Sequence, residues 1–272
     1  MADKLIRTKL LEAYPDIPII SEESEQLPYE ARRHHDLCWV VDPLDGTKEF
    51  IRRTGDFGVM IGLSLHGRPV LGVVHAPAQE MPKTYYAVAD KGAFVLPGSE
   101  EQCGEGLPGS ERISTRSFGA QDSGLKLAVS SSRPPQSFID ACKDPVTLSI
   151  GSAALKAVAV ADGTADLFPC FYSTSEWDTC APHVIVEEAG GSVLRFDGEG
   201  AGGMADVAAL LLLSREEAEA ATASAVASAD AASLSNAAGT SRSSSGGKTV
   251  ISYNKADLSS PHCLFLGRCN LN

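Results

Sequence analysis

Five carboxylates spread along the chain have the residue types and settings to share a cation. Asp42 and Asp45 stand three apart within Trp39 to Phe50, Trp-Val-Val-Asp-Pro-Leu-Asp-Gly-Thr-Lys-Glu-Phe. Pro43 has no amide hydrogen and Gly46 accepts positive φ, so the backbone can turn and aim carboxylates, a carbonyl and amides at one point. Oxygen-only ligation with open positions suits a hard dication such as Mg²⁺ held against a phosphate, which makes phosphoryl chemistry the first hypothesis. An Asp-rich turn after a strand is the plain alternative. Glu22 and Glu23 have a similar setting at the end of a short apolar run, where a solvated acidic loop is the competing account. Asp178 opens a helical segment, where a carboxylate either caps the helix or sits against its dipole and offers its outer oxygen to a cation. His183 reads as a packed or surface histidine, because every other candidate donor is oxygen.

These residues need strand ends and helix starts to position them, and the local patterns supply both. Trp39, Val40 and Val41 read as the end of a buried strand stopped by Asp-Pro and Asp-Gly. Ile17 to Ile20 form a second short strand that delivers Glu22, and a helix from Lys4 to Tyr14 precedes it. After the motif, Val59 to Leu65, Pro69 to Ala76, Thr84 to Ala89 and Ala93 to Leu96 are β-rich with short turns, which predicts an antiparallel meander. Beyond a loop from Ser99 to Gly109, Lys126 to Ser130 reads as a strand and Gln136 to Cys142 as a helix. Ser149 to Ser152 open an apolar helix from Ala153 to Ala161 that carries Lys156. Asp166 to Phe168 follow as a strand, and Thr179 to Ala189 as a helix ended by Gly190-Gly191. Strand and helix alternation after a β meander predicts a layered α/β sandwich. From residue 198 to 247 the composition collapses to Ala, Ser and Gly, read as an insertion with a helix over Ala205 to Ala229 and disorder over Ser233 to Gly247. Thr249 to Ser252 and Cys263 to Leu266 are predicted strands, so the folded unit comprises residues 1–197 and 248–272.

Composition narrows the partners. A hydrophobic content of 43% over 272 residues is ample for a core, while a formal net charge of −12 argues against a general nucleic-acid or membrane-surface binder. Local cations can still invert the field for a phosphorylated small molecule. Seven cysteines lack any Cys-x-x-Cys spacing, which favours reduced thiols in the cytoplasm over a disulfide framework or a zinc site. No apolar run is long enough to span a membrane.

Ser-Glu-Glu, then Asp-Pro-Leu-Asp-Gly-Thr-Lys-Glu-Phe, then Glu-Trp-Asp-Thr-x-Ala with a later Glu-x-x-Gly-Gly, resemble the Mg²⁺-dependent, lithium-sensitive phosphatase superfamily of inositol monophosphatase. Lys48-Glu49-Phe50 and Tyr253-Asn254-Lys255 are similar to its 3'(2'),5'-bisphosphate nucleotidases of the CysQ type. The resemblance covers about residues 2 to 198 and 249 to 266 and implies an αβαβα sandwich. It implies two or three Mg²⁺ ions: Glu22, Asp42 and the Leu44 carbonyl on the first, and Asp42, Asp45 and Asp178 on the second. Glu22 with Thr47 would orient and deprotonate water, and the Gly46 and Thr47 amides, beside Asp45, would receive the phosphate. Ser130, Arg133 and Lys156 match positions that contact a second phosphate and sugar, although Lys156 fits a helix surface equally. The implied substrate is adenosine 3',5'-bisphosphate, with its sulfated precursor as a further one, and an inositol phosphate is the alternative. Ser131, Arg133 and Ala153 depart from the Arg, His and Ser common in the nucleotidases. Ala2-Asp3 resembles the end of the family's Thr-x-Ala-Asp segment, so the first helix and hairpin are expected to be missing, together with any organellar targeting segment. An impaired fragment that only binds is the remaining alternative.

Overall fold

A computed structural model describes residues 1–98, 109–119, 122–130, 132, 134–172, 174–196, 251–255, 257–260 and 262–270. The expected insertion at 198–247 lies outside the described residues. Among those described, two sheets lie on either side of a pair of central helices.

The chain opens with helix α1, Ala2–Ala13, and then strand β1, Ile19–Ser21. Helix α2, Tyr29–Arg32, leads into strand β2, Leu37–Asp45, which is followed by helix α3, Thr47–Arg52. The predicted meander then appears as β3 Gly58–Leu65, β4 Arg68–Ala76, β5 Lys83–Val88 and β6 Gly92–Pro97, with β7 Glu111–Arg112 at the edge. These strands form one seven-stranded sheet in chain order, with β1 parallel to β2 and the other pairs antiparallel. On β3, burial alternates so that Gly58, Met60, Gly62 and Ser64 face inward, the period expected of a strand with one core face.

Strands β8 Ser117–Gly119 and β9 Lys126–Val129 precede helix α4 Gln136–Ala141 and strand β10 Val146–Ser149. Helix α5, Ala153–Ala161, has its predicted bounds. Strands β11 Leu167–Cys170 and β12 Thr174–Ser175 then lead to helix α6, Glu176–Glu188, and strand β13 Ser192–Phe196. The last strands are β14 Ser259–Ser260, β15 His262–Leu266 and β16 Arg268–Asn270. The second sheet has the order β10-β9-β11-β15-β13, with β15 antiparallel to both neighbours. Thus the predicted return of Cys263 to Leu266 to a sheet holds. The strand expected at Thr249 to Ser252 does not form at its described residues, 251 and 252.

Helices α5 and α6 touch each other and pack between the sheets, α6 mainly on β2 to β6 and α5 on both. Their side chains join both inner sheet faces in one core that includes Met60, Val74, Val158, Ile185 and Phe265. A second core under α4 joins Phe138 to Leu127, Leu167 and Leu264 on the outer face of the second sheet. With α1 on β2, the layers run helix, sheet, helices, sheet, helix, which is the expected αβαβα sandwich.

Candidate metal centre

The Asp-Pro-Leu-Asp stretch is a bulge within β2, not a turn after it. Asp42 pairs with Met60 and Asp45 with Gly58, and the register is irregular between them. Pro43 has no amide for the ladder, so extra residues are accommodated where a strand can bulge, and a bulge re-aims the side chains on either side. The Leu44 amide closes the local loop by donating to Asp42 Oδ1 at 2.9 Å. Gly46, at φ 86°, caps α3, and a Cβ there would lie 2.8 Å from the carbonyl oxygen of Asp56. Helix α3 therefore begins at Thr47, whose hydroxyl donates to the Leu44 carbonyl at 3.3 Å.

Parallel pairing brings Glu22 to the same level. Ser21 is in register with Val41, and the Glu22 amide donates to the Val41 carbonyl at 3.2 Å. The Glu22 carboxylate then lies beside that of Asp42 and helps to raise its pKa. Helix α1 anchors this acidic loop, since the hydroxyls of Ser21 and Ser24 donate to the two oxygens of Asp3 at 2.6 and 2.7 Å.

Asp45 is held from the other side by α5. The Ser152 hydroxyl and the Ala154 amide at 2.7 Å both donate to its Oδ2, and Ser152 also caps that helix. Asp178 lies in the first turn of α6, not at its cap. Ser175 is the cap, and Asp178 Oδ2 accepts the Ser175 amide at 2.6 Å in a reciprocal capping box. Asp45 and Asp178 thus each commit one oxygen to a helix start, while Asp42 commits one to the Leu44 amide in the bulge.

One oxygen from each of Asp42, Asp45 and Asp178 lies within 4.8 Å of the others. Asp42 is pushed up to about 9, by burial first and then by the charges of Asp45 and Glu22. Burial likewise pushes Asp178 up to about 7, with Asp45 and Glu22 adding to it. Asp45 is raised by burial, although its bonds to Ser152 and Ala154 and the Lys156 charge oppose the shift. A buried carboxylate forced against two half-buried ones without enough positive charge suits a divalent cation held by oxygen, so this donor set fits Mg²⁺.

The other predicted residues are placed as follows. Lys156 is not a surface lysine. It is 1% exposed, and its ammonium donates to the carbonyls of Ile150 at 3.4 Å and Gly151 at 3.0 Å. Ser130 stands at the end of β9 with its hydroxyl 3.1 Å from that of Ser132, and Arg133 lies outside the described residues. His183 is packed, with Nδ1 2.9 Å from the Tyr253 hydroxyl. Asp3, Ser152 and Glu176 support the site but were not among the expected site residues, although Glu176 opens the Glu-Trp-Asp motif and Ser152 stands at the helix opening; the Ser-x-x-Asp spacing of residues 175 to 178 could have pointed to the capping box.

Strand tips and helix starts that converge acidic residues between two sheets define a metal-dependent phosphatase type of architecture. The inositol monophosphatase family matches residues 1–237. The chain belongs to that family. It is 39% identical over 206 residues to the 3'(2'),5'-bisphosphate nucleotidase CysQ of Salmonella typhimurium, covering 73% of this chain and 76% of that protein. Escherichia coli K12 CysQ is 38% identical over 189 residues, covering 68% of this chain and 69% of that one. Among solved structures, CysQ from Bacteroides thetaiotaomicron superposes with a TM-score of 0.68 at 27% identity, covering 98% of this chain and 83% of that one. An inositol monophosphatase of Thermotoga maritima has a TM-score of 0.58 at 30% identity, over 73% and 70% of the two chains.

Proposed function

We propose that this chain hydrolyses the 3'-phosphate of adenosine 3',5'-bisphosphate, releasing AMP and inorganic phosphate, with its sulfated precursor as a further substrate. The observation that carries the chemistry is the convergence of Asp42, Asp45 and Asp178 beside Glu22. The nucleotide specificity is supported by the CysQ relatives, which are named as 3'(2'),5'-bisphosphate nucleotidases.

Mg²⁺ ions held by Glu22, Asp42, the Leu44 carbonyl, Asp45 and Asp178 would cancel phosphate charge and acidify water. The chain's residues supply the rest. Glu22 accepts the proton of the attacking water, and the Thr47 hydroxyl, which already lies 3.3 Å from the Leu44 carbonyl, orients that water. The Gly46 and Thr47 amides receive the phosphate oxygens where the chain turns into α3. Ser130 and Arg133 contact the second phosphate and the sugar. Lys156 joins them by exchanging the Ile150 and Gly151 carbonyls for the substrate, and otherwise its charge steadies Asp45.

Phosphate release from adenosine 3',5'-bisphosphate and from inositol 1-phosphate, assayed side by side with Mg²⁺, tests the specificity. Faster turnover of the nucleotide is expected, and faster turnover of inositol 1-phosphate overturns it. Asp45→Asn is expected to abolish turnover while leaving the protein folded, and Li⁺ to inhibit the wild type; an active Asp45→Asn variant would sink the metal assignment.

A further inference from the structure

Two residues before Asp178 lies a carboxylate that the chemistry does not use. Glu176 is 0% exposed, yet both of its oxygens are occupied. Oε2 accepts the Asn254 amide at 2.6 Å and Oε1 accepts the Lys255 amide at 3.0 Å, with the Lys255 ammonium 3.9 Å away. Burying a carboxylate is costly, and a helix start already capped by Ser175 does not need one. What these bonds secure is a connection between distant parts of the chain. Residues 251–255 and 257–260 pass around the first turn of α6, where the Glu176 amide donates to the Leu258 carbonyl at 2.8 Å. Strand β12 pairs with β14 at the same place.

Arg32 at the end of α2 grips the same segment. It is 2% exposed, and its guanidinium donates to Asn254 Oδ1 and to the Lys255 carbonyl. The Asn254 side-chain amide donates back to the Arg32 carbonyl at 3.2 Å. Asn254 itself sits at φ 59°, a left-handed backbone that Asn tolerates better than most residues. The turn fastened in this way is the turn that carries Asp178.

We infer that Glu176 is a positioning residue: with Arg32 and Asn254 it clasps residues 253–255 and 258–260 around the start of α6, holds Asp178 in register with Asp42 and Asp45, and thereby sets metal affinity. This rests on the metal-centre reading above, but not on the identity of the substrate.

Mn²⁺ binding followed by electron paramagnetic resonance, without substrate, tests it alongside thermal denaturation. Glu176→Gln turns an amide hydrogen toward a backbone N–H, and Mn²⁺ binding is expected to weaken by at least about tenfold, the effect of losing a partner behind a ligand. Asn254→Gly keeps the left-handed backbone and removes the side-chain bonds to Arg32; it is expected to shift affinity in the same direction, and it decides the matter if Glu176→Gln does not fold. Phe138→Leu opens a void under α4, remote from the site, and is expected to lower stability while keeping wild-type affinity. Wild-type binding that disappears in Asp45→Asn is expected. No such dependence overturns the metal centre itself. If that dependence holds while the Glu176 and Asn254 variants bind as tightly as wild type, or Phe138→Leu weakens binding as much as Glu176→Gln, the clasp is overturned.

Discussion

Asp42 is the side chain most at odds with its surroundings. It is 2% exposed and lies beside Asp45 and Glu22, which with burial push its carboxyl up to about 9. The unfolded value is about 4. Between those limits the metal-free folded chain binds more protons than the unfolded chain, so stability falls as pH rises across that window. Asp178, raised to about 7, adds to the decline up to its own titration. Metal-stripped protein is therefore expected to lose melting temperature from pH 5 to pH 9. Asp42→Asn, neutral throughout, should lose less, and saturating Mg²⁺ should remove most of the difference. Denaturation across a pH series checks this, and identical slopes for the two metal-free proteins would contradict it. The carboxylates themselves were legible in the sequence because their types and their neighbours, Pro43 and Gly46, have local consequences. The bond from Ser152 to Asp45 was not, because those residues meet only once the chain has folded, whereas the bond from Ser175 to Asp178 is local and leaves its trace in the Ser-x-x-Asp spacing.

At the level of elements, what aligns α6 is a pair of glycines. Gly62 on β3 and Gly72 on β4 are register partners, and both lie under α6 at Cys180 and Ala181. A Cβ on Gly72 would run into the Ala181 carbonyl oxygen and come within 2.7 Å of Val184 Cγ1. Gly72→Ala is expected to destabilise by about 1–3 kcal/mol, read as a shifted denaturant midpoint with unchanged slope. An unshifted midpoint would mean that the helix can lift without cost. Helix α1 has a comparable duty at Glu22, through Asp3. Asp3→Ala strands the buried Ser21 hydroxyl, which is expected to cost about 1–3 kcal/mol and to weaken Mn²⁺ binding through the freed Glu22 loop. Unchanged binding would separate α1 from the site. The meander and α5 were predictable because turns and apolar periodicity mark them. Helices α2 and α3, of 4 and 6 residues, are too short for a period to register, and α3 starts inside a stretch that sequence reasoning treated as a turn.

In the whole molecule, the two sheets face each other across α5 and α6, and the acidic cluster forms where β1 and β2 meet the starts of both helices. That the fold is a layered α/β sandwich was legible from the alternation of strands and helices, while the αβαβα order of the layers came from the family resemblance. The closure of the second sheet was less legible, because β15 inserts between β11 and β13 from far along the chain. Everything proposed for catalysis lies outside residues 198–247, and the chain on either side is tied to the core. On one side β13 pairs with β15; on the other Ile251 and Tyr253 are buried and the Tyr253 amide donates to the Gly67 carbonyl at 3.0 Å. The Ala/Ser/Gly-rich stretch is thus proposed to be dispensable for chemistry. Replacing residues 198–247 with a short Gly/Ser linker is expected to leave both the Mg²⁺ requirement and the turnover number for adenosine 3',5'-bisphosphate unchanged, since linkers of this composition adapt to the span between anchored ends. Circular dichroism of the shortened chain separates misfolding from loss of function. A folded but inactive product would make the stretch part of the working enzyme.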